Sequence, residues 1–204
     1  MKNRQRVSKY MLILAAITLT LTSHSCSSTM PSSVKEYDCT KPSRNSNNVG
    51  YISGTPGILI SSSYCKDYTF IKEKVERAIH MFVEEYSSQF GVPKEEIWSH
   101  LSGLHIEASA YSRTVPGAYD EKGNFIKKPW VSGLALSKKH IWVEVKTNNI
   151  YASSLIHELV HAVIWNTQGV HGDPDHEGSQ FSGWTPEHSL LIKRVNEALL
   201  ESGI

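Results

Sequence analysis

From residue 66 to residue 90, apolar side chains recur at steps of three and four. Tyr68, Ile71, Val75, Ala78, Ile79, Phe82 and Tyr86 fall in one series, with Lys72, Glu73, Glu76, Glu84 and Glu85 between them. A period near 3.6 gathers the first set on one face, so this stretch predicts a long amphipathic helix. Gly91 can supply a left-handed stop, and Pro93 followed by Lys94, Glu95 and Glu96 opens a shorter helix reaching about Leu101. Upstream, Ile58, Leu59 and Ile60 form a short apolar run between turn residues, as a buried strand does. Downstream the period falls to two. Leu104, Ile106, Ala108 and Ala110 alternate with His105, Glu107, Ser109 and Tyr111, which predicts a half-buried strand. Residues 131–137 and 140–146 have strand composition on either side of Lys138-Lys139 and predict a hairpin, whereas residues 114–128 carry turn residues and read as a loop.

Asn148 or Asn149 suits the N-cap of a helix over about residues 150–166, with Gly169 beyond its end. Thr185 and Pro186 open a last helix running through Leu199, with Leu190, Leu191, Val195, Ala198 and Leu199 directed inward. Strand, long helix, several strands, central helix, loop and closing helix together predict an α+β domain.

Composition changes this picture little. The chain has 204 residues, 40% of them hydrophobic, and 21 basic against 20 acidic side chains, enough for one globular domain and without the basic footprint of a nucleic-acid binder. The N-terminus is different. Lys2, Arg4, Arg6 and Lys9 precede an apolar run over residues 11–21, too short for the ~20 residues of a membrane span and typical of a signal peptide, expected over residues 1–25. The segment Leu21-Thr22-Ser23-His24-Ser25-Cys26 resembles a bacterial lipoprotein cleavage site, although Ser23 and His24 depart from the usual pattern. That resemblance implies a secreted or cell-envelope protein anchored to a membrane through a lipid on Cys26. Residues 26–48 are dense in Ser, Thr, Asn, Pro and Lys, with too few aliphatic side chains to offset the entropy of ordering them. They read as a disordered tether before a domain over 49–204. With Cys26 modified, Cys39 and Cys65 remain as an even pair in a compartment that permits a disulfide; two free thiols are the alternative.

The central helix carries the candidate chemistry. Ala152, Leu155, Ile156, Leu159, Val160, Ala162, Val163, Ile164 and Trp165 cover most of its circumference, so it is expected to be largely buried, yet His157, Glu158 and His161 interrupt it. Burying an unpaired carboxylate costs several kcal/mol unless a metal or a proton offsets it. Residues four apart share a helical face, so both imidazoles can bind one ion at ~2.0–2.1 Å. Glu158, one residue along, can reach a water on that ion without being a ligand.

The segment His157-Glu158-Leu159-Val160-His161 resembles the active-site motif of the zincin metallopeptidases. The resemblance is strong over about twenty residues and only architectural elsewhere. It implies a zincin-like domain with a small, mostly antiparallel sheet, Zn2+ as cofactor, Glu158 as general base, and a protein or peptide substrate. The metzincin subfamily is excluded, because Ile164 and Thr167 stand where it has a glycine and a third histidine. For the third ligand we expect His176, within Gly172-Asp173-Pro174-Asp175-His176, a pattern that with Gly183-Trp184-Thr185-Pro186 is similar to zincin-like bacterial lipoproteins. His171, Asp173, Asp175 and Glu187 are the alternatives. Asp173, Asp175, Glu177 and Gly178 partly mimic a calcium loop, but Trp184 occupies the position that needs a bidentate glutamate. His80, His100, His105, His140 and His188 lack ligand spacing and are expected to be surface or hydrogen-bonded residues. The leading function is a zinc-dependent hydrolase; the competing class is a non-catalytic zinc-binding lipoprotein or an inactive zincin serving as an interaction module.

Overall fold

A computed structural model describes residues 49–62, 68–109, 113–119, 125–145, 149–169 and 183–204. The signal peptide, the tether, Cys26, Cys39, Cys65 and the loop residues His171, Asp173, Asp175 and His176 lie outside them. Strands β1 (Val49–Tyr51) and β2 (Leu59–Ser62) are followed by helices α1 (Tyr68–Phe90) and α2 (Lys94–Leu101). Strand β3 (His105–Ser109) leads to the short strands β4 (Arg113–Thr114), β5 (Gly117–Tyr119), β6 (Phe125–Lys127) and β7 (Trp130–Val131). Strands β8 (Gly133–Ser137) and β9 (His140–Glu144), a 3-10 turn (Ile150–Ala152), and helices α3 (Leu155–Gln168) and α4 (Pro186–Glu201) complete an α+β domain. Among the described residues no helix is long and apolar enough to cross a membrane.

The main sheet runs in the order β1-β2-β3-β9-β8. Its outer pairs, β1 with β2 and β9 with β8, are antiparallel; its inner pairs, β2 with β3 and β3 with β9, are parallel. The expected mostly antiparallel sheet is therefore mixed. The cause is connectivity: a two-residue turn can return a strand only antiparallel, whereas the chain leaves β2 through α1 and α2 before entering β3, a crossover long enough to make the pair parallel. The Lys138-Lys139 hairpin forms as β8 and β9, with an irregular register between Ala135 and Ser137. The expected loop over 114–128 instead holds β5, β6 and part of β4, paired as small ribbons. Strands of two or three residues are too short to display an alternation.

Register explains the core. Ile60, Ile106 and Ile141 lie side by side on β2, β3 and β9 and are fully buried. Against this row pack Ile71, Val75, Ile79 and Phe82 of α1, Leu159 and Val163 of α3, and Leu191, Val195 and Leu199 of α4. Each such side chain contributes about 1.5–3 kcal/mol through lost apolar exposure. Leu190, expected to face inward, is 57% exposed. It lies one residue before the buried stripe, and a 100° step carries it onto the solvent face.

The helix expected from Ile150 is broken. Ile150–Ala152 is a 3-10 turn and α3 begins at Leu155. The Ser153 hydroxyl donates to the Ile150 carbonyl at 2.6 Å and accepts the Leu155 N–H at 3.2 Å, so it closes one turn and opens the next. Asn149 stands at the N-cap of the 3-10 turn rather than of α3, whose N-cap is Ser154; Asn148 lies outside the described residues. The Ile204 carbonyl accepts the Ile150 N–H at 3.0 Å, fastening the end of α4 to the entrance of α3.

Candidate metal centre

Helix α3 sets His157 and His161 one turn apart, and their side chains converge. The two Nε2 atoms are 3.1 Å from each other and the ring centroids 4.9 Å, with the ring planes at 62°. Two nitrogens at tetrahedral positions on one zinc, each bonded at ~2.0–2.1 Å, lie about 3.3 Å apart. The observed separation fits that arrangement. It equally fits one imidazole donating its N–H to the other, and both readings require the nitrogens to meet at one point.

Glu158 stands between them in sequence and is 2% exposed. Its backbone N–H donates to the Ser154 carbonyl at 3.0 Å, an ordinary first-turn bond. Its carboxylate lies against Gly133 at the start of β8. A Cβ built on Gly133 would run into Oε1 and Cδ of Glu158 and come within 2.7 Å of the Ser154 Cβ. The glycine is required because backbone and carboxyl group occupy adjoining space, with no room for a side chain between them. Ser132 and Ser154 join hydroxyls at 2.7 Å beside this contact, tying the strand to the helix entrance. Since β8 is an edge of the main sheet, the candidate base sits directly under a sheet edge.

An indole packs against both imidazoles. The Trp184 ring is 5.1 Å from that of His157 and 4.9 Å from that of His161, centroid to centroid. Its Nε1–H donates to Ser189 Oγ at 3.1 Å. Gly183 lets the chain approach so closely: a Cβ there would collide with Ile164 and come within 2.8 Å of Gln168 Oε1, both on α3. The adjoining turn is fixed by His188, whose Nδ1 accepts the Thr185 N–H at 3.0 Å in the manner of a capping box. That bond places the proton of the neutral ring on Nε2, 3.5 Å from the Tyr86 hydroxyl. Burial holds the His188 imidazole below the usual histidine range, against the opposing influence of Glu187 and the Thr185 backbone. Burial also pushes the Tyr86 phenol up to about 12.

Of the residues expected at the site, His157 and His161 are therefore brought together, and Glu158, next to His157 on the same helix, has its carboxylate against Gly133. His176 and the alternatives His171, Asp173 and Asp175 lie outside the described residues. Glu187 is exposed in the first turn of α4. The Thr185 hydroxyl bonded to its carboxyl group holds it below the usual carboxylate range. Among the described residues no group of three His, Cys, Asp or Glu side chains could hold a metal, so Glu187 does not complete the pair.

No family model, curated protein or solved structure matches this chain.

Two contributors escaped the sequence reading. Gly133 was detectable in principle, because an isolated glycine within a strand pattern signals a close backbone approach. Trp184 was noted only within the Gly183-Trp184-Thr185-Pro186 pattern, and nothing in its spacing predicts contact with the two histidines. The histidines without ligand spacing are scattered, and the Nε2 atoms of His100 and His140 are buried without a hydrogen bond among the described residues. His80 meets the edge of Trp98, His105 receives or donates a 2.7 Å bond with Ser61 Oγ, and His140 lies 3.4 Å from Glu107.

Proposed function

We propose that the chain is a zinc-dependent hydrolase of the zincin type that cleaves peptide bonds in proteins or peptides. His157, His161 and His176 hold the metal and Glu158 is the general base. The observation that carries this reading is the convergence of the two Nε2 atoms to 3.1 Å on a helix whose intervening Glu158 is almost wholly buried.

Bound by these residues, zinc would supply a Lewis acid and a water whose pKa falls from ~15.7 to about 7. The chain's own groups do the rest. Glu158, held in one orientation by Gly133 and by the first turn of α3, takes a proton from the attacking water as its oxygen adds to the carbonyl carbon. It returns that proton to the departing amine as the C–N bond breaks, so no net charge is left behind. The edge of β8 offers backbone N–H and C=O groups to an extended substrate lying alongside, which would set its carbonyl near Glu158. The segment over residues 1–26 supports placing the protein outside the cytoplasm, with Cys26 as the lipid-bearing residue.

The test is a comparison of the full chain with Glu158→Gln on a mixed peptide library. Cleavage is expected to stop with a chelator, to return with zinc, and to fall about 10²–10⁴-fold in the variant while zinc content is unchanged. Cleavage that survives either treatment would exclude this mechanism.

A further inference from the structure

We infer that Trp184 is a positioning residue for the metal site: its indole presses on both His157 and His161 and holds their Nε2 atoms convergent. The inference rests on the reading of those histidines as ligands and adds the device that keeps them oriented. An imidazole on a helix retains rotation about χ1 and χ2, and two of them must lose it together before one ion can be held. Here one ring restrains both. Trp184 is 5% exposed, meets the two imidazoles at 5.1 and 4.9 Å between centroids, and crosses their planes at 44° and 41°. A substrate can scarcely reach a side chain so buried, which makes its role one of support rather than recognition.

The indole is itself fixed from three directions. Its N–H is anchored on Ser189 Oγ in the first turn of α4. Gly183 before it fits against Ile164 and Gln168 of α3, where a larger residue would push the whole segment outward. His188, 5.8 Å from the indole centroid, locks the Thr185 turn and stacks on Phe90 at 4.5 Å, so α1 and α4 jointly brace the indole. Hydrogen-bonded groups that orient metal ligands typically cost about 10–100-fold in metal affinity when removed, and a packing restraint on both rings at once is expected to act on the same scale.

The experiment measures zinc affinity by competition with a chromophoric chelator for the full chain, Trp184→Ala and Trp184→Phe. Thermal unfolding of each reports whether the fold is retained. Trp184→Ala is expected to bind zinc about 10–100-fold more weakly, and Trp184→Phe, which keeps an aromatic face, to stay within about threefold of the wild type. A folded Trp184→Ala with unchanged affinity overturns the inference, as does a Phe variant that loses as much as the Ala variant. A metal-free arm separates this inference from the functional reading and does not need the Ala variant to fold. In apo wild type, the carbon-bound ring protons of both histidines should be displaced from their free-imidazole positions by the indole ring current, as seen by NMR. Failure of the wild type to bind zinc, with those shifts present, would sink the hydrolase and leave the contact standing. Absence of the shifts would refute the contact itself.

Discussion

Two pairs of histidines in this molecule show how backbone geometry decides what a pair can do. His157 and His161 lie four residues apart on one helix, and their Nε2 atoms meet at 3.1 Å with the rings at 62°. His105 and His140 are neighbours across the parallel strands β3 and β9, and their rings stack at 4.5 Å with an interplanar angle of only 11°. In the second pair the nitrogens are engaged separately, His105 Nε2 with Ser61 Oγ at 2.7 Å and His140 Nε2 near Glu107 Oε2 at 3.4 Å. Glu107 is shared in turn with Arg113 at 2.6 Å, which also lies over the Trp142 ring. Helical spacing aims two side chains at one point, whereas direct strand register lays them flat against each other. The same residue type thus yields a candidate ligand pair in one place and a stacked, half-buried pair in the other.

The sharpest way to break this comparison is to disturb what holds Glu158 beside the first pair. Gly133→Ala should displace the carboxylate, costing about 1–3 kcal/mol of stability through overpacking and lowering turnover on the order of 100-fold with zinc still bound. Denaturant unfolding and a peptidase assay on the same preparation check both effects. A variant as active as wild type would mean that the carboxylate's position is not set there.

Alkaline titration should have the next largest effect. Because burial raises the folded Tyr86 phenol to about 12, the unfolded chain loses that proton first, and stability should fall as pH rises above about 10. Tyr86→Phe should flatten that limb of the denaturation midpoint.

The acid side sharpens the comparison directly. Burial lowers the folded pKa of His188. Burial, together with the His140 charge, lowers that of His105, with Glu107 acting the other way. The unfolded chain therefore takes up these protons first, so stability is full above about pH 6.5 and declines as pH falls below it. His105→Gln should reduce the slope of midpoint against pH in that window. The smallest effect expected is on metal: His140→Gln should leave zinc affinity within about twofold, as for a site that does not touch it.

How much of this was legible beforehand follows from the range of each signal. The stripe from Ile71 to Tyr86 and the Thr185-Pro186 start of α4 are local, and both appear as helices. The pairing of His157 with His161 is also local, a matter of four residues on one helix. The parallel centre of the sheet depends on which strands meet after a crossover, and no window of sequence contains that. The entrance of α3 was misplaced because the chain first makes a separate 3-10 turn after Asn149, which the Ser153 hydroxyl closes on the Ile150 carbonyl before it accepts the Leu155 N–H. Gly133 and Trp184 matter only through contacts made across tens of residues, so neither could be tied to Glu158 or to the histidines by spacing. The third ligand expected from sequence, His176, lies beyond the described residues and stands as a proposal.

The most direct test of the central claim is zinc stoichiometry in the two double variants, His157→Ala with His161→Ala and His105→Ala with His140→Ala. Elemental analysis after dialysis should find about one zinc per chain in the wild type and in the second variant, and none in the first. Zinc retained when His157 and His161 are gone, or lost with His105 and His140, would contradict the account.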